Sequence, residues 1–283
     1  MKKKISSRKV FSRIVFVLGF ILCSYPLFSS IVERQYQKDA VATYTKEVES
    51  FEKEDTQKYL DEANQYNSML YQSNGIVVGE LNDGILSEES YNNILNVTGT
   101  GIMGSIEIPK INVNLPIYHG TEDEILSTAI GHLEGSSFPV GGSNTRTILT
   151  GHRGLPNSKL FTRLDEMETG DLFFINVLNE TLAYKVTEIK VIEPEEVESL
   201  EIVPEKDLAT LITCTPYGLN THRLVVTGER VAYEKQQHDA IKNEVMSFRE
   251  LFFAFLPFGF LLIAILSAVK SRIKKGGKGG KKP

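Results

Sequence analysis

Short alternating runs of hydrophobic and polar residues occupy the second half of the chain. Seven segments are rich in Val, Ile, Thr, Tyr and Phe, are bounded by Gly, Pro, Asn or Asp, and are typical of half-buried strands. In chain order they read GSIEIPKI, VNLPIYH, TRTILTGH, DLFFINVL, TLAYKVTEIKVI, LATLITCT and RLVVTGERV. The stretch LNET at 178–181 fits a hairpin loop between two of them. Closely spaced strands with few helices predict a mainly β fold, a closed or nearly closed β-barrel of about eight strands.

Helical patterns precede the strands and interrupt them. Between residues 33 and 71, apolar side chains recur at steps of three and four, which predicts one or two amphipathic helices that pack on the barrel. Residues 75–100 are typical of a loop region with a short helix near 88–95. Further short helices are predicted at 122–129 and 195–200.

Each end of the chain contains an uncharged apolar run of 19 residues, at 14–32 and 251–269. A helix needs about 20 such residues to cross the hydrocarbon core of a membrane, and neither run has the polar face of a soluble core helix. We therefore predict two transmembrane helices. The first run also fits a cleaved signal peptide, because Pro26, Ser29 and Ser30 offer a small-residue processing site.

The charges divide the chain into basic ends and an acidic middle. The whole protein has a net charge of −5, but six basic residues lie in 1–32 and seven in 251–283, with no acidic residue in either stretch. Eighteen basic residues then face all 36 acidic ones in 33–250, a net charge of −18. Such a middle repels nucleic acid. Basic flanks stay in the cytoplasm, so we expect both termini on the cytoplasmic side of the cell membrane and the middle of the chain outside the cell.

These boundaries give a prediction for the organisation of the whole chain. The parts are a basic tail (1–13), a transmembrane or signal-anchor segment (14–32), a helical region (33–100), the barrel (101–232), a juxtamembrane stalk (233–250), a transmembrane helix (251–269) and a basic tail (270–283).

The chain contains two cysteines, and their positions differ in meaning. Cys23 lies in the first apolar run, whereas Cys214 is the only thiol of the predicted exported domain, which therefore has no internal disulfide. A lone thiol facing an oxidising exterior is either buried and inert or kept for its reactivity. Cys214 ends a strand before a turn, where a rigid scaffold presents side chains to a substrate.

A reactive thiol needs a base or a cation beside it. Arg223 begins the next strand, so a hairpin around 215–222 places it opposite Cys214, where it can donate to a developing oxyanion or, alternatively, form a surface ion pair. His152 ends an earlier strand in the same way as Cys214. Adjacent strand residues point to opposite faces, so only one of Arg223 and His222 can face Cys214.

The remaining titratable residues are assigned simpler roles. His119 and His132 flank a predicted helix as surface or partly buried residues, and His238 is expected to be solvated in the stalk. No metal or cofactor is predicted, because the sequence contains no CxxC or HExxH motif. The acidic cluster of the segment 193–201 lacks calcium-loop spacing, and a solvated acidic helix is favoured over a calcium site.

Three motifs in order resemble a known family. TLITC (210–214), the downstream Arg223 and the upstream ILTGHRG (148–154) resemble the sortases of Gram-positive bacteria, and the similarity covers about residues 100–232. The C-terminal apolar run and the long N-terminal helical segment are similar to class C, the pilus-assembling sortases. The resemblance implies a sortase-type barrel with Cys214 as nucleophile, His152 as general acid and base, and Arg223 as stabiliser of substrate and oxyanion.

The resemblance also implies a reaction and its partners. A class C sortase cleaves an LPxTG-like sorting signal between Thr and Gly, forms a thioester and transfers the acyl group to a pilin lysine, so the partners are pilins and other surface proteins with such signals. The lid tripeptide of many pilus sortases, Asp-Pro-aromatic, is missing from 75–90. The alternatives are a wall-anchoring sortase that uses a cell-wall precursor amine, a cysteine peptidase that hydrolyses, and a non-catalytic membrane-tethered scaffold.

Overall fold

Eight strands close into a barrel within the described part of the chain, which in this computed structural model comprises residues 7–73, 88–196, 200–241 and 248–276. The strands are β1 (Ile102–Ile108), β2 (Val113–His119), β3 (Ile130–His132), β4 (Thr145–Thr150), β5 (Leu172–Val177), β6 (Glu180–Ile192), β7 (Asp207–Thr215) and β8 (His222–Val231). Their order around the barrel is β1-β2-β3-β4-β7-β8-β6-β5. The predicted β-barrel is thus confirmed, as is the β5–β6 hairpin, in which Val177 pairs with Glu180.

Most neighbouring strands are antiparallel, but two pairs are parallel. β2 runs parallel to β3, and β4 runs parallel to β7. The second pairing joins strands that are separated by β5 and β6 in the chain. It therefore brings the carboxyl end of β4 to the carboxyl end of β7, which is the end of the barrel that bears Cys214.

The sequence patterns missed β3. This strand has three residues, which is too few for a two-residue period to stand out, and it follows the predicted helix at 122–129 directly. In the structure the helix is shorter, Asp123–Leu126, and the strand begins four residues later. All three residues of β3 are buried between β2 and β4.

The helices lie mainly before the barrel. They are α1 (Ser7–Glu49), α2 (Lys53–Gln72), α3 (Glu88–Asn93), α4 (Asp123–Leu126), α5 (Lys235–Ala240) and α6 (Phe248–Gly276), with two 3₁₀ turns at Pro109–Ile111 and Leu164–Glu166. The two amphipathic helices predicted over 33–71 are confirmed as the second half of α1 and as α2. The predicted lid stretch, 75–90, lies mostly outside the described residues, and so do residues 197–199 of the helix predicted at 195–200.

One hydrophobic core fills the barrel and extends to the N-terminal helices. Tyr44 of α1 and Tyr66 of α2 belong to the same buried cluster as barrel residues such as Ile106, Phe173 and Leu211. Polar contacts fix the docking, since the Tyr44 hydroxyl donates to the carbonyl of Met103 at 3.0 Å. Burial of these apolar faces supplies the main driving force for attaching the helices to the barrel.

The chain divides into two compact units, Val32–Val245 and a second unit that joins Met1–Ile31 with Met246–Pro283. Among the described residues, one helical stretch is long and apolar enough to cross a membrane, Ile14–Glu49, with a mean hydropathy of 2.1 over its most apolar 18 residues. This finding indicates membrane anchoring. The apolar stretch found in α6, Phe255–Leu266, is shorter, so the second transmembrane helix stays a prediction.

The stalk differs from its predicted solvated state. The expectation that His238 is solvated is wrong, because its ring stacks on Phe174 of β5 with the ring centroids 3.9 Å apart. Its Nε2 also lies 3.2 Å from Glu107 Oε1 of β1. The short helix α5 thus packs against the outside of the barrel, and polar composition alone did not reveal the aromatic surface beneath it.

Candidate active site

The β7–β8 hairpin places Cys214 and Arg223 directly opposite each other. The antiparallel register pairs Ile212 with Val225, Cys214 with Arg223 and Thr215 with His222. Side chains of directly opposed residues lie about 4.5–5.5 Å apart at Cβ. The predicted hairpin therefore brings a thiol and a guanidinium together at the open end of these strands, and Cys214 is half-buried there.

The parallel β4–β7 pairing joins the segment that leads to His152 to the segment that leads to Cys214. The register ends with Thr150 opposite Ile212, and the Gly151 amide donates to the Ile212 carbonyl at 3.1 Å. The Thr213 hydroxyl in turn donates to the Gly151 carbonyl at 2.7 Å. His152 and Cys214 are the residues that directly follow the bonded pair Gly151 and Thr213, although 62 positions separate them in the chain.

Strand alternation puts Cys214 and Arg223 on the same face. Leu211 and Leu224 point into the barrel core, whereas Ile212 and Val225 belong to a smaller cluster on the outer face with Ile148, Ile192 and Leu200. Cys214 lies two residues after Ile212, and Arg223 lies two residues before Val225. Since side chains alternate along a strand, both share this outer face. The site is thus built on the outside of the barrel wall.

The surroundings of Arg223 leave its guanidinium available for a substrate. Its Nη1 donates to the carbonyls of Asn220 at 3.4 Å and His222 at 3.2 Å, and it forms no ion pair with any residue that the structure describes. The neighbouring histidine contacts a carboxylate instead, since His222 Nε2 lies 3.1 Å from Glu193 Oε1. The alternative of a surface ion pair for Arg223 is therefore not what these contacts show.

Hydrogen bonds from the backbone and from side chains fix the loop that follows His152. The Phe161 amide donates to the His152 carbonyl at 3.2 Å, and the Gly154 amide donates to the Thr162 hydroxyl at 3.0 Å. From α1, the amide of Gln37 donates to the Ser158 hydroxyl at 2.9 Å. The N-terminal helix thus supports the loop that carries the candidate histidine.

Two other histidines are buried more deeply than the sequence predicted. His132 is fully buried, and His119 is 5% exposed, so the prediction of surface or partly buried residues is wrong for both. Burial lowers the pKa of His132 to about 4 and also lowers the pKa of His119. The rings of Tyr91 and Phe138 stack on His132 and contact His119 edge-on. They support the fold and do not join Cys214.

Metal ligation is not favoured by the described residues. No group of three or more His, Cys, Asp or Glu side chains within these ranges is arranged to hold an ion. In the acidic segment, Glu193 pairs with His222, and its backbone amide donates to a carboxylate oxygen of Glu196. The chemistry that this arrangement supports is nucleophilic attack by a thiol that is paired with an arginine and lies near the strand end that leads to His152.

Comparison with known proteins identifies the family to which the chain is similar. The sortase domain model matches residues 106–231. Sortase C1 from Streptococcus agalactiae is 45% identical with a TM-score of 0.64, covering 69% of this chain and 100% of that one. Sortase C from Streptococcus pneumoniae is 39% identical with a TM-score of 0.61, covering 69% and 97%.

Curated relatives match over a smaller part of their length. Sortase D from Bacillus subtilis is 31% identical over 131 residues, which is 45% of this chain and 63% of that protein. Against sortase A from Streptococcus agalactiae, the match covers 52% of the relative. The chain thus spans less than two thirds of these relatives. With a barrel that is similar over the full length of solved C-type enzymes and a Cys214–Arg223 pair at its strand ends, the chain belongs to the sortase family of cysteine transpeptidases and resembles its class C members.

Proposed function

We propose that this protein is a pilin-polymerising transpeptidase. It cleaves an LPxTG-like sorting signal between Thr and Gly and joins the new acyl group to a lysine amine of another pilin. The observation that carries this proposal is the pairing of Cys214 with Arg223 at one end of the barrel, next to the end of β4, which His152 follows by two residues. The similarity to sortases C supports the class of substrate, since one such structure, from Clostridium perfringens, is described with a C-terminal cell wall sorting motif.

The first step is acylation. The Cys214 thiolate attacks the carbonyl carbon of the scissile Thr–Gly amide, and negative charge develops on the carbonyl oxygen. The Arg223 guanidinium donates to that oxygen, and His152 gives a proton to the leaving Gly nitrogen as the C–N bond breaks. The products of this step are a Cys214 thioester and a free amino-terminal Gly.

The second step is transfer. A neutral lysine amine attacks the thioester carbonyl, His152 takes the proton from the nitrogen, and the Cys214 sulfur leaves as thiolate. One amide bond breaks and one isopeptide bond forms, so the thioester retains the acyl-transfer potential and no nucleotide is needed. The acceptor decides the outcome: a lysine amine gives polymer, a cell-wall precursor amine gives anchoring, and water gives hydrolysis.

The test uses a fluorescent LPxTG-type peptide and three acceptors. Wild-type protein should form a Cys214 thioester detectable by mass spectrometry and should transfer the peptide to a lysine-containing acceptor faster than to a cell-wall precursor peptide or water. Cys214→Ala should form no thioester. Preferred transfer to the wall peptide would overturn the pilin assignment, release of free acid irrespective of amine would indicate a peptidase, and no reaction would favour a scaffold.

A further inference from the structure

A buried arginine follows the candidate histidine directly. Arg153 has a side chain that is only 4% exposed, although it carries a positive charge. A buried charge destabilises the fold unless it is paired and hydrogen-bonded, so the partners of this guanidinium compensate for the cost of burying it. Two of them are polar groups on different elements, Asp165 and Thr215, and the third is the ring of Tyr217, whose centroid lies 5.9 Å from the guanidinium carbon.

The contact with Thr215 links two neighbouring segments of the active site. Nη1 of Arg153 donates to the Thr215 hydroxyl at 3.3 Å. Arg153 is the residue after His152, and Thr215 is the residue after Cys214. The β4 strand ends at Thr150, before the histidine, so regular strand pairing does not extend to His152. The guanidinium therefore spans the position where the strand pairing stops.

The contact with Asp165 ties the guanidinium to a packed element. Nη2 of Arg153 forms an ion pair with the Asp165 carboxylate, which lies in the 3₁₀ turn Leu164–Glu166. Leu164 is fully buried in the barrel core, which fixes this turn. Because the two ends of the guanidinium fork are used on two elements, a rigid planar Arg suits this position and a Lys does not.

The residue after Arg153 is adapted to the same arrangement. Gly154 has φ +81°, and a Cβ at this position would lie 2.9 Å from the Tyr217 ring. The positive φ strains any other residue at this position, and a Cβ there would also require the Tyr217 ring to shift. Tyr217 thus lies over both Gly154 and Arg153.

We propose that Arg153 is a positioning residue: together with Asp165 and Thr215 it holds His152 at the distance from Cys214 that proton transfer requires. The inference rests on the proposed function, because it assigns Arg153 an effect on the step in which His152 protonates the leaving amine. Arg153 itself touches no reacting atom in this scheme. Without it, the Gly151 bonds to β7 on the near side of His152 remain, but the contact on its far side, to Thr215, is lost.

The chain offers a matched control for a purely structural ion pair. Arg163 also has a side chain that is 4% exposed and pairs with a carboxylate, that of Glu166, at 2.6 Å. Its Nη1 donates to the Ile111 carbonyl, at a different part of the barrel from Thr215. Replacing either arginine by Met removes one buried ion pair from the same loop region, but only the Arg153 variant removes a contact to the Cys214 strand.

The experiment compares Arg153→Met, Arg163→Met, Thr215→Val and Thr215→Ser in the full-length protein in detergent. Arg153→Met should lower kcat of peptide transfer about 100-fold with KM unchanged, since a misplacement of about 1 Å has an effect of this size on a reaction step. Thr215→Val should lower kcat in the same direction, and Thr215→Ser, which keeps the hydroxyl, should restore it. Arg163→Met should lower the melting temperature with kcat per folded enzyme within about threefold of wild type.

Two results would overturn the inference. One is a kcat for Arg153→Met that is equal to that of Arg163→Met at matched folded fraction, and the other is wild-type kcat in Thr215→Val. The Thr215 pair keeps the test decisive if Arg153→Met does not fold, because Val and Thr have the same shape. Failure of the proposed function has a different signature: wild-type protein would then form no thioester, whereas failure of the inference leaves wild-type turnover intact.

Discussion

Arg223 and His222 are adjacent in the chain but have different partners. Arg223 lies opposite Cys214 and bonds to backbone carbonyls, whereas His222 lies opposite Thr215 and pairs with Glu193. Since successive strand residues point to opposite faces, one of them faces the thiol and the other does not. The pair therefore separates a role in the reaction from a general effect of the strand end.

Arg223→Ala should lower the rate of thioester formation about a hundred- to a thousandfold, because removing one oxyanion donor costs about 2.7–4 kcal/mol. His222→Ala should stay within about threefold of wild type. Stopped-flow or quenched-flow measurement of Cys214 acylation by an LPxTG-type peptide provides both values. Equal effects of the two substitutions would show that Arg223 has no specific part in the step.

His132 is an example of a single residue on which the fold depends. Its Nε2 lies 2.9 Å from the Ser137 carbonyl, which can only accept, so Nε2 carries the proton and Nδ1 accepts from the Tyr91 hydroxyl at 2.8 Å. The ring is thus bonded at both nitrogens in its neutral form. Burial lowers its pKa to about 4, below the usual 6.5 of an unfolded chain.

Acid should therefore destabilise the protein through His132. Between pH 6.5 and 4 the unfolded chain binds a proton that the folded protein does not, so the stabilising contribution present above pH 6.5 is lost as the pH falls. The full loss at pH 4 is about 3 kcal/mol. Urea unfolding of the fragment 32–245 at pH 7.5, 6, 5 and 4 measures this slope.

A His132→Gln variant provides the comparison for that slope. Gln retains a donor and an acceptor but has no proton to bind in this range. We expect it to be less stable than wild type at pH 7.5 but to lose less free energy of unfolding between pH 6.5 and 4. Parallel curves for the two proteins would exclude His132 as the source of the acid sensitivity.

At the scale of secondary-structure elements, α2 is attached to the barrel side by a pair of hydrogen bonds. The Asn67 side chain donates to the Phe138 carbonyl at 3.2 Å and accepts from the Phe138 amide at 2.8 Å. Both groups are buried, and the Tyr66 ring packs edge-on against Phe138 with centroids 4.9 Å apart. A helix outside the barrel is thereby matched to one backbone position of the β3–β4 connection.

Asn67→Ala should lower the free energy of unfolding by about 1–3 kcal/mol, because it leaves the buried Phe138 amide without a partner, whereas the Phe138 carbonyl keeps its bond from the Val140 amide. Asn64→Ala, on the exposed face of the same helix, should leave it unchanged or raise it slightly, since Ala favours helix. Urea denaturation of both variants tests the difference. A change of under about 0.5 kcal/mol for Asn67→Ala would contradict the importance of this contact.

At the scale of the whole molecule, the barrel and nearly all of the two terminal apolar runs belong to different compact units. The unit Val32–Val245 contains the barrel and the helices that pack on it. The stretch Ile14–Glu49 is long and apolar enough for a membrane anchor. An anchor on the membrane that also holds the substrate raises the effective concentration of both without any new contact.

Removing both apolar segments should therefore change the reaction on membranes and leave the chemistry intact. The fragment 32–245 should turn over a soluble peptide within about twofold of the full-length protein in detergent. On vesicles that carry a membrane-anchored pilin with a sorting signal, the fragment should polymerise at least about tenfold more slowly at equal total concentration. Equal rates on the vesicles would show that tethering contributes nothing.

Local patterns predicted those features that depend on neighbouring residues. The strand runs, the β5–β6 hairpin and the pairing of Cys214 with Arg223 follow from alternation and turn residues over short distances. The apolar run at 14–32 indicated the helix that meets the membrane-spanning requirement. The strand pattern placed His152 at a strand end, and the family motifs added its proposed role as general acid and base.

The remaining features depend on contacts between distant parts of the chain, and only the tertiary structure decided them. The parallel β4–β7 pairing brings the residues just before His152 alongside those just before Cys214, and the three-residue β3 exists because β2 and β4 surround it. Burial of His132 and the bridging contacts of Arg153 have no local signal, because a side chain's partners come from other elements. Residue order therefore determined which elements form and which chemistry is present, whereas long-range packing determined which side chains meet.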